Sequence, residues 1–192
     1  MPSHHVCPWW CAYTFDHRLR RVFHKPERIL EPYVKPGMTV LDLGCGMGYF
    51  SIPMAVMVGD AGQVLAVDIQ QQMLDVLMRR ARNAGVDGRI RLRLCDPERL
   101  CVDQPVDFAL AFFMVHETPD PPRFIDQVRA ALKPGAQFLY VEPKWHVQRE
   151  DFEQLLDHAL NSGYRLVARP QISISRAALL TAASVQLENA RN

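Results

Sequence analysis

Val40-Leu41-Asp42-Leu43-Gly44-Cys45-Gly46-Met47-Gly48-Tyr49-Phe50 is an apolar strand-like run that passes directly into a glycine-rich turn and then into a helical pattern. Glycines at alternate positions let the backbone turn sharply and let a ligand approach the main chain where a side chain would collide. The plain alternative is a tight turn that holds no ligand. Spacing narrows the choice of ligand. A dinucleotide loop sets its third glycine three positions after the second, where this sequence has Tyr49. The G-x-G-x-G pattern lacks the close phosphate seat at a helix start and suits a cofactor without a pyrophosphate.

Working outward, apolar strand-like runs alternate with helical patterns, the signature of a parallel sheet with helices on both faces. The expected strands are 39–43, 63–67, 90–95, 106–113 and 137–142. The expected helices are 49–58, 71–84 and 122–132, with Met73, Leu74, Leu77 and Met78 recurring at helical spacing. Gly85 and Lys133-Pro134-Gly135 read as helix stops and turns. A helix over about 150–161 then precedes two strands, 164–169 and 173–180, expected to close the domain as a hairpin. The fold class is therefore α/β: a single Rossmann-like, doubly wound sheet whose ligand site lies at the carboxyl edge beside the first strand.

Asp68 ends the second strand, 20 residues beyond Gly48. A carboxylate there can accept both hydroxyl hydrogens of a ribose. Asp96 follows the third strand and sets a second acid on the same edge, near where an adenine amino group would lie. Two acids without a phosphate-binding base favour a cationic nucleoside.

The chain resembles the class I S-adenosylmethionine (SAM) dependent methyltransferases, most closely the small-molecule group around the quinone C-methyltransferases. The resemblance runs from about Lys25 to Ala182. It rests on Val40 to Phe50, Val64 to Asp68 with Ile69, Cys95-Asp96, Val106-Asp107-Phe108-Ala109-Leu110 leading into His116-Glu117-Thr118-Pro119-Asp120, and Leu132-Lys133-Pro134-Gly135. It implies a seven-stranded, mostly parallel sheet with one antiparallel strand, the cofactor SAM and the product S-adenosylhomocysteine. By this match Gly44, Gly46 and Gly48 line the methionine end, Asp68 the ribose, Ile69 the adenine face and Asp96 the adenine amine. Asp42, Cys45 and Phe112 complete the expected cofactor-binding set.

Methyl transfer from a sulfonium needs little covalent help, and a general base matters only for acceptors that must lose a proton. The end of the fourth strand should reach that site, which singles out Phe112, Phe113, His116 and Glu117. His116 is the better base because its imidazole titrates near neutral pH, whereas Glu117 would need burial. A histidine here can equally shape the pocket. Glu142, Lys144, Trp145 and His146 follow the fifth strand on the same edge, as acceptor-pocket lining or as an exposed loop.

The 192 residues, 48% hydrophobic and 22% charged, have the composition of one ordinary globular domain. A formal net charge of +1 supplies no global field for a polyanion, so no nucleic-acid or membrane partner is expected. The expected partner is a small-molecule methyl acceptor, with the chain a monomer or homodimer. Five cysteines and no secretory leader point to reduced thiols in a cytoplasm. Residues 36–182 are expected to form the methyltransferase domain and 183–192 a polar tail. Residues 1–35 form an extension with Trp9, Trp10, Tyr13 and Phe15, read either as a lid over the cleft or as cover for the sheet. Cys7 and Cys11 with His4 or His5 have loose metal-ligand spacing but lack the second pair of a closed tetrahedral site, so no metal is expected. Two other functions stay open: a SAM-binding module without catalysis, and a thiol or arsenic-type methyltransferase using Cys7, Cys11 and Cys45.

Overall fold

The computed structural model describes residues 23–182. The N-terminal aromatic, histidine and cysteine positions and the polar tail lie outside these residues. A short helix, α1 (Pro26–Leu30), opens the described chain with proline in its first turn. Then follow β1 (Thr39–Leu43), α2 (Ser51–Val58), β2 (Gln63–Asp68), α3 (Gln71–Asn83), β3 (Ile90–Leu94), β4 (Val106–Phe112), α4 (Pro121–Ala131), β5 (Leu132–Pro143), α5 (Arg149–Asn161), β6 (Tyr164–Ala168) and β7 (Ser175–Ala182).

The sheet order is β3-β2-β1-β4-β5-β7-β6. Strands β1 to β5 are parallel neighbours in this order, and β7 runs antiparallel between β5 and β6. The chain winds outward from β1 to β3 and then returns to β4 on the other side of β1. A crevice opens where the winding reverses, at the carboxyl ends of β1 and β4. The central strands bury both faces, as parallel strands covered by helices must. Val40, Phe108 and Leu139 pack with Met54, Leu74 and Leu77 on the side of α1 to α3. Leu41, Ala109 and Phe138 pack with Ile125, Val128, Phe152 and Leu156 on the side of α4 and α5.

Several expectations shift. The helix expected from Tyr49 begins at Ser51, because Gly48 at φ 88° extends the turn through Phe50. Residues 133–135 do not separate α4 from a later strand. Strand β5 already begins at Leu132, which pairs with Val106, and regular pairing resumes at Gln137 opposite Phe108. The expected turn is thus an outward kink inside the strand, with Gly135 at φ 78°. The closing hairpin forms, but its second strand starts at Ser175 and runs to Ala182. No helix lies between β3 and β4; residues 95–105 cross as a compact loop. The packed domain also reaches back before Pro36, since Leu30 and Val34 are buried in the first core. No described helix is long and apolar enough to cross a membrane.

Candidate active site

The glycine loop sits at the crevice, and its three glycines have different causes. All three hold positive φ: 64° at Gly44, 51° at Gly46 and 88° at Gly48. A Cβ at Gly44 would stand 3.0 Å from the Met114 side chain, and one at Gly48 only 2.8 Å from Leu77 Cγ. Those two glycines admit neighbouring protein. At Gly46 a Cβ would meet no protein atom within 4 Å, so this glycine alone of the three borders open space.

Four contacts hold the loop. Cys45 N–H donates to Val67 O at 2.9 Å, and Gly46 N–H donates to Asp68 Oδ2 at 2.8 Å. Arg80 of α3 donates to Met47 O at 3.2 Å. Below the loop, the buried Asp42 carboxylate accepts from Ser51 Oγ at 2.5 Å, joining the end of β1 to the first turn of α2. Cys45 is buried, and desolvation, with Asp42 and Asp68 adding, pushes its thiol well above the ordinary range. That chemistry disfavours Cys45 as a thiolate ligand for a metalloid.

Asp68 also accepts from Gln70 N–H at 2.9 Å through Oδ1. Its carboxylate thus holds backbone donors from Gly46 and Gln70, with the Ile69 amide adding, and the roughly four acceptor sites of a carboxylate leave capacity for a ligand hydroxyl. Burial raises its pKa, against the lowering effect of the Gln70, Gly46 and Ile69 amides. Ile69 is partly exposed beside it, and Asp96 is exposed at the end of β3, where Oδ1 accepts from Glu98 N–H at 2.9 Å. This set fits SAM: an open glycine, carboxylates with spare acceptor capacity and an exposed apolar side chain.

At the end of β4, Phe112 is buried against Phe50 and Phe113, with ring centroids 4.6 and 4.4 Å apart. Phe113 holds φ 63°, a left-handed conformation rare for an aromatic residue, fixed by its N–H donating to Val141 O at 2.9 Å. Its ring meets Trp145 edge-on at 5.4 Å, and Trp145 is exposed.

His116 lies in a single turn of 3₁₀ helix, Val115–Glu117. The β4–β5 register sets Phe112 opposite Val141 and so brings Glu142 beside this turn. Glu142 is fully buried, with Oε1 accepting from His116 N–H at 3.1 Å and Oε2 lying 2.6 Å from His116 Nδ1. One carboxylate thus fixes both backbone and ring, and directs Nε2 away from itself. Desolvation pulls the His116 pKa down, but the Glu142 hydrogen bond and the charges of Glu142 and Glu117 outweigh it, and the net shift is upward. Glu117 Oε1 is 4.0 Å from Nε2, and the His146 ring centroid is 4.7 Å from that of His116.

The motifs located the crevice but not the His116–Glu142 pair, whose members are 26 residues apart and meet only through strand pairing. His24 carried no signal at all. It is buried, with Nε2 2.9 Å from Ser173 O and its ring edge-on to Phe112 and Phe113. Among the described residues no group of three or more His, Cys, Asp or Glu is placed to hold a metal ion.

A doubly wound sheet with a glycine loop at its switch point and an acid closing β2 defines the nucleoside-binding α/β class. A family model for a methyltransferase domain matches residues 40–135. The chain belongs to the class I SAM-dependent methyltransferase family. The ubiquinone/menaquinone biosynthesis C-methyltransferase UbiE of Haemophilus ducreyi is 34% identical over 110 residues, 57% of this chain and 42% of that protein. The demethylmenaquinone methyltransferase of Lactobacillus johnsonii is 33% identical over 105 residues, 54% of this chain and 43% of that protein. The matches thus span less than half the length of these curated relatives. Among solved structures, a SAM-dependent methyltransferase from Aquifex aeolicus superposes with a TM-score of 0.82 at 23% identity, covering 93% of this chain and all of the other.

Proposed function

We propose that this chain transfers a methyl group from SAM to a small-molecule acceptor that must lose a proton. The observation that carries the reading is His116, held by the buried Glu142 at the same sheet edge as the glycine loop. In this reading the backbone around Gly44 and Gly46 receives the methionine end. Asp68 accepts from the ribose hydroxyls, Ile69 covers the adenine face and Asp96 accepts from the adenine amine. Gly48, Asp42 and Cys45 keep the loop in shape, and Phe112 forms a wall. SAM supplies a methyl already activated by its sulfonium.

The protein's contribution is then alignment, which in well-oriented reactions is worth about 7–11 kcal/mol, together with removal of one proton. His116 receives that proton at Nε2, while Glu142 holds Nδ1–H and stabilises the imidazolium. General-base help of this kind is worth roughly 10²- to 10⁴-fold. Phe113 and Trp145 offer a planar ring a surface to stack on. The names of the two bacterial relatives mention ubiquinone, menaquinone and demethylmenaquinone, which makes hydroxylated aromatic rings the first acceptors to screen.

The test is an acceptor screen read by release of S-adenosylhomocysteine, beside calorimetry with SAM and with NADH. SAM should bind in preference to NADH, and Asp68→Ala should weaken SAM binding by about 1–3 kcal/mol, the scale for losing a partner of buried polar groups. His116→Asn should lower turnover about 100-fold or more while leaving SAM affinity unchanged. SAM binding with no turnover on any acceptor would instead favour the binding module, and tighter binding of NADH would sink the reading.

A further inference from the structure

The connection from β3 to β4 crosses the sheet without a helix, and two cysteines stand at its turn. Cys95 is buried at the end of β3, where its N–H donates to Asp68 O at 2.9 Å. Cys101 is exposed, and its backbone N–H donates to Cys95 Sγ at 3.1 Å. Residues six apart in sequence are thus folded against each other. Gln127 of α4 holds this arrangement from outside: Oε1 accepts from Leu100 N–H at 2.7 Å and Nε2 donates to Glu98 O at 3.0 Å. Between the cysteines lie Asp96 and its bridge to Arg99.

We propose that Cys95 and Cys101 form a dithiol modification site that a low-molecular-weight disulfide, such as oxidised glutathione, converts to an intramolecular disulfide, weakening the adenine end of the cleft. The last clause rests on the reading of Asp96 as an adenine contact. The two sulfurs have unequal roles. Burial, with the neighbouring Cys101, pushes the Cys95 thiol up to about 12, so it stays protonated near neutral pH. Cys101 is the one that solvent reaches.

Cys101 gives its proton to water, and the thiolate attacks one sulfur of the oxidised glutathione. That S–S bond breaks, a mixed disulfide forms on Cys101 and one glutathione thiolate leaves. Cys95 then loses its proton to solvent, its thiolate attacks the Cys101 sulfur, the mixed disulfide breaks, and the second glutathione leaves as a thiolate that takes up that proton. Two protein thiols are oxidised, and one disulfide is reduced to two thiols. In the reduced state Cys95 Sγ receives the Cys101 N–H. In the oxidised state the two sulfurs stand about 2.05 Å apart, which closes residues 95–101 into a covalent ring and confines Asp96 within it.

The full-length chain is assayed first in reductant for SAM affinity by calorimetry, then after excess oxidised glutathione by intact mass, peptide mapping and calorimetry. Trypsin cuts after Arg93 and Arg99, so the bridge should leave the peptide Leu94–Arg99 joined to the one that begins at Leu100. The expected result is loss of two hydrogens, this joined pair, and a SAM dissociation constant raised threefold or more, reversed by reductant. Cys95→Ser should keep glutathione on Cys101, and Cys101→Ser should form no bridge to Cys95. A glutathione adduct that persists on Cys101 in the unaltered chain, a bridge to another cysteine, or closure with unchanged SAM affinity overturns the proposal. Reduced protein that binds no SAM overturns the cofactor reading instead, and the mass measurement then decides the dithiol by itself.

Discussion

Glu142 decides what His116 can do. Its charge raises the imidazole pKa against the pull of burial, so the neutral base appears only above the ordinary value of about 6.5. The rate should therefore rise with pH through a limb lying above that value. Glu142→Gln removes the charge and keeps the shape, and should move the limb to lower pH while reducing the maximal rate; an unmoved limb would detach His116 from the proton. The same shift enters stability with a definite sign. A raised folded-state pKa stabilises the fold below the unfolded value and loses that contribution as pH rises through the folded one. Two glycines offer a second contrast at this scale. Gly48→Ala meets both positive φ and Leu77, and should cost about 2–3 kcal/mol in chemical denaturation. Gly46→Ala meets positive φ alone, and should cost about 1 kcal/mol yet weaken SAM binding strongly. Equal effects on SAM affinity from both would show that the loop's shape, and not the space at Gly46, governs the cofactor.

At the scale of elements, the connection between β3 and β4 depends on Gln127, which supplies a donor and an acceptor to a backbone with no helical bonds of its own. Gln127→Ala should lower stability by about 1–2 kcal/mol, one hydrogen bond at a time, in thermal or urea melts. Leu100 and Val102, packed against the α4–α5 core, keep the loop seated. Most elements are legible because burial imposes period: Met73, Leu74 and Leu77 lie on the buried face of α3 with Ala81, while Met78, expected with them, is only partly buried. Helix α4 begins at Pro121, one residue before the expected 122, because Asp120 caps Arg123 N–H and prolines occupy the first turn. The kink at Lys133 to Gly135 reads as a turn in the sequence because glycine and proline announce a departure from regular backbone without saying whether the strand resumes pairing. The site divided in the same way. Local motifs placed Gly46, Asp68 and His116 near one edge, but the Glu142 partnership and the packing of Gly44 on Met114 arise from neighbours distant in sequence. Nothing local announces them.

For the whole molecule, the reversal of winding at the parallel pair β1 and β4 gathers residues from most of the described chain to one edge. The far ends of the described chain are tied there too. His24 accepts the Tyr49 hydroxyl on its carbonyl at 2.5 Å and bonds through its ring to Ser173 O, with Ser175 Oγ at 3.3 Å. Early, middle and late segments therefore meet at one buried ring that also touches Phe113. Ile174, between those two serines, holds φ 53°, a conformation that a β-branched residue adopts only under constraint. The residue is 42% exposed and contributes little to the core. The fold thus contains a position where a smaller, more polar residue improves it: Ile174→Asn, which tolerates left-handed backbone, should raise the denaturant midpoint by the equivalent of about 1 kcal/mol. A lowered midpoint would mean that the isoleucine is held there by contacts worth more than the backbone strain. This junction is where the protein has exchanged stability for shape, and it is the natural starting point for a sturdier version of the molecule.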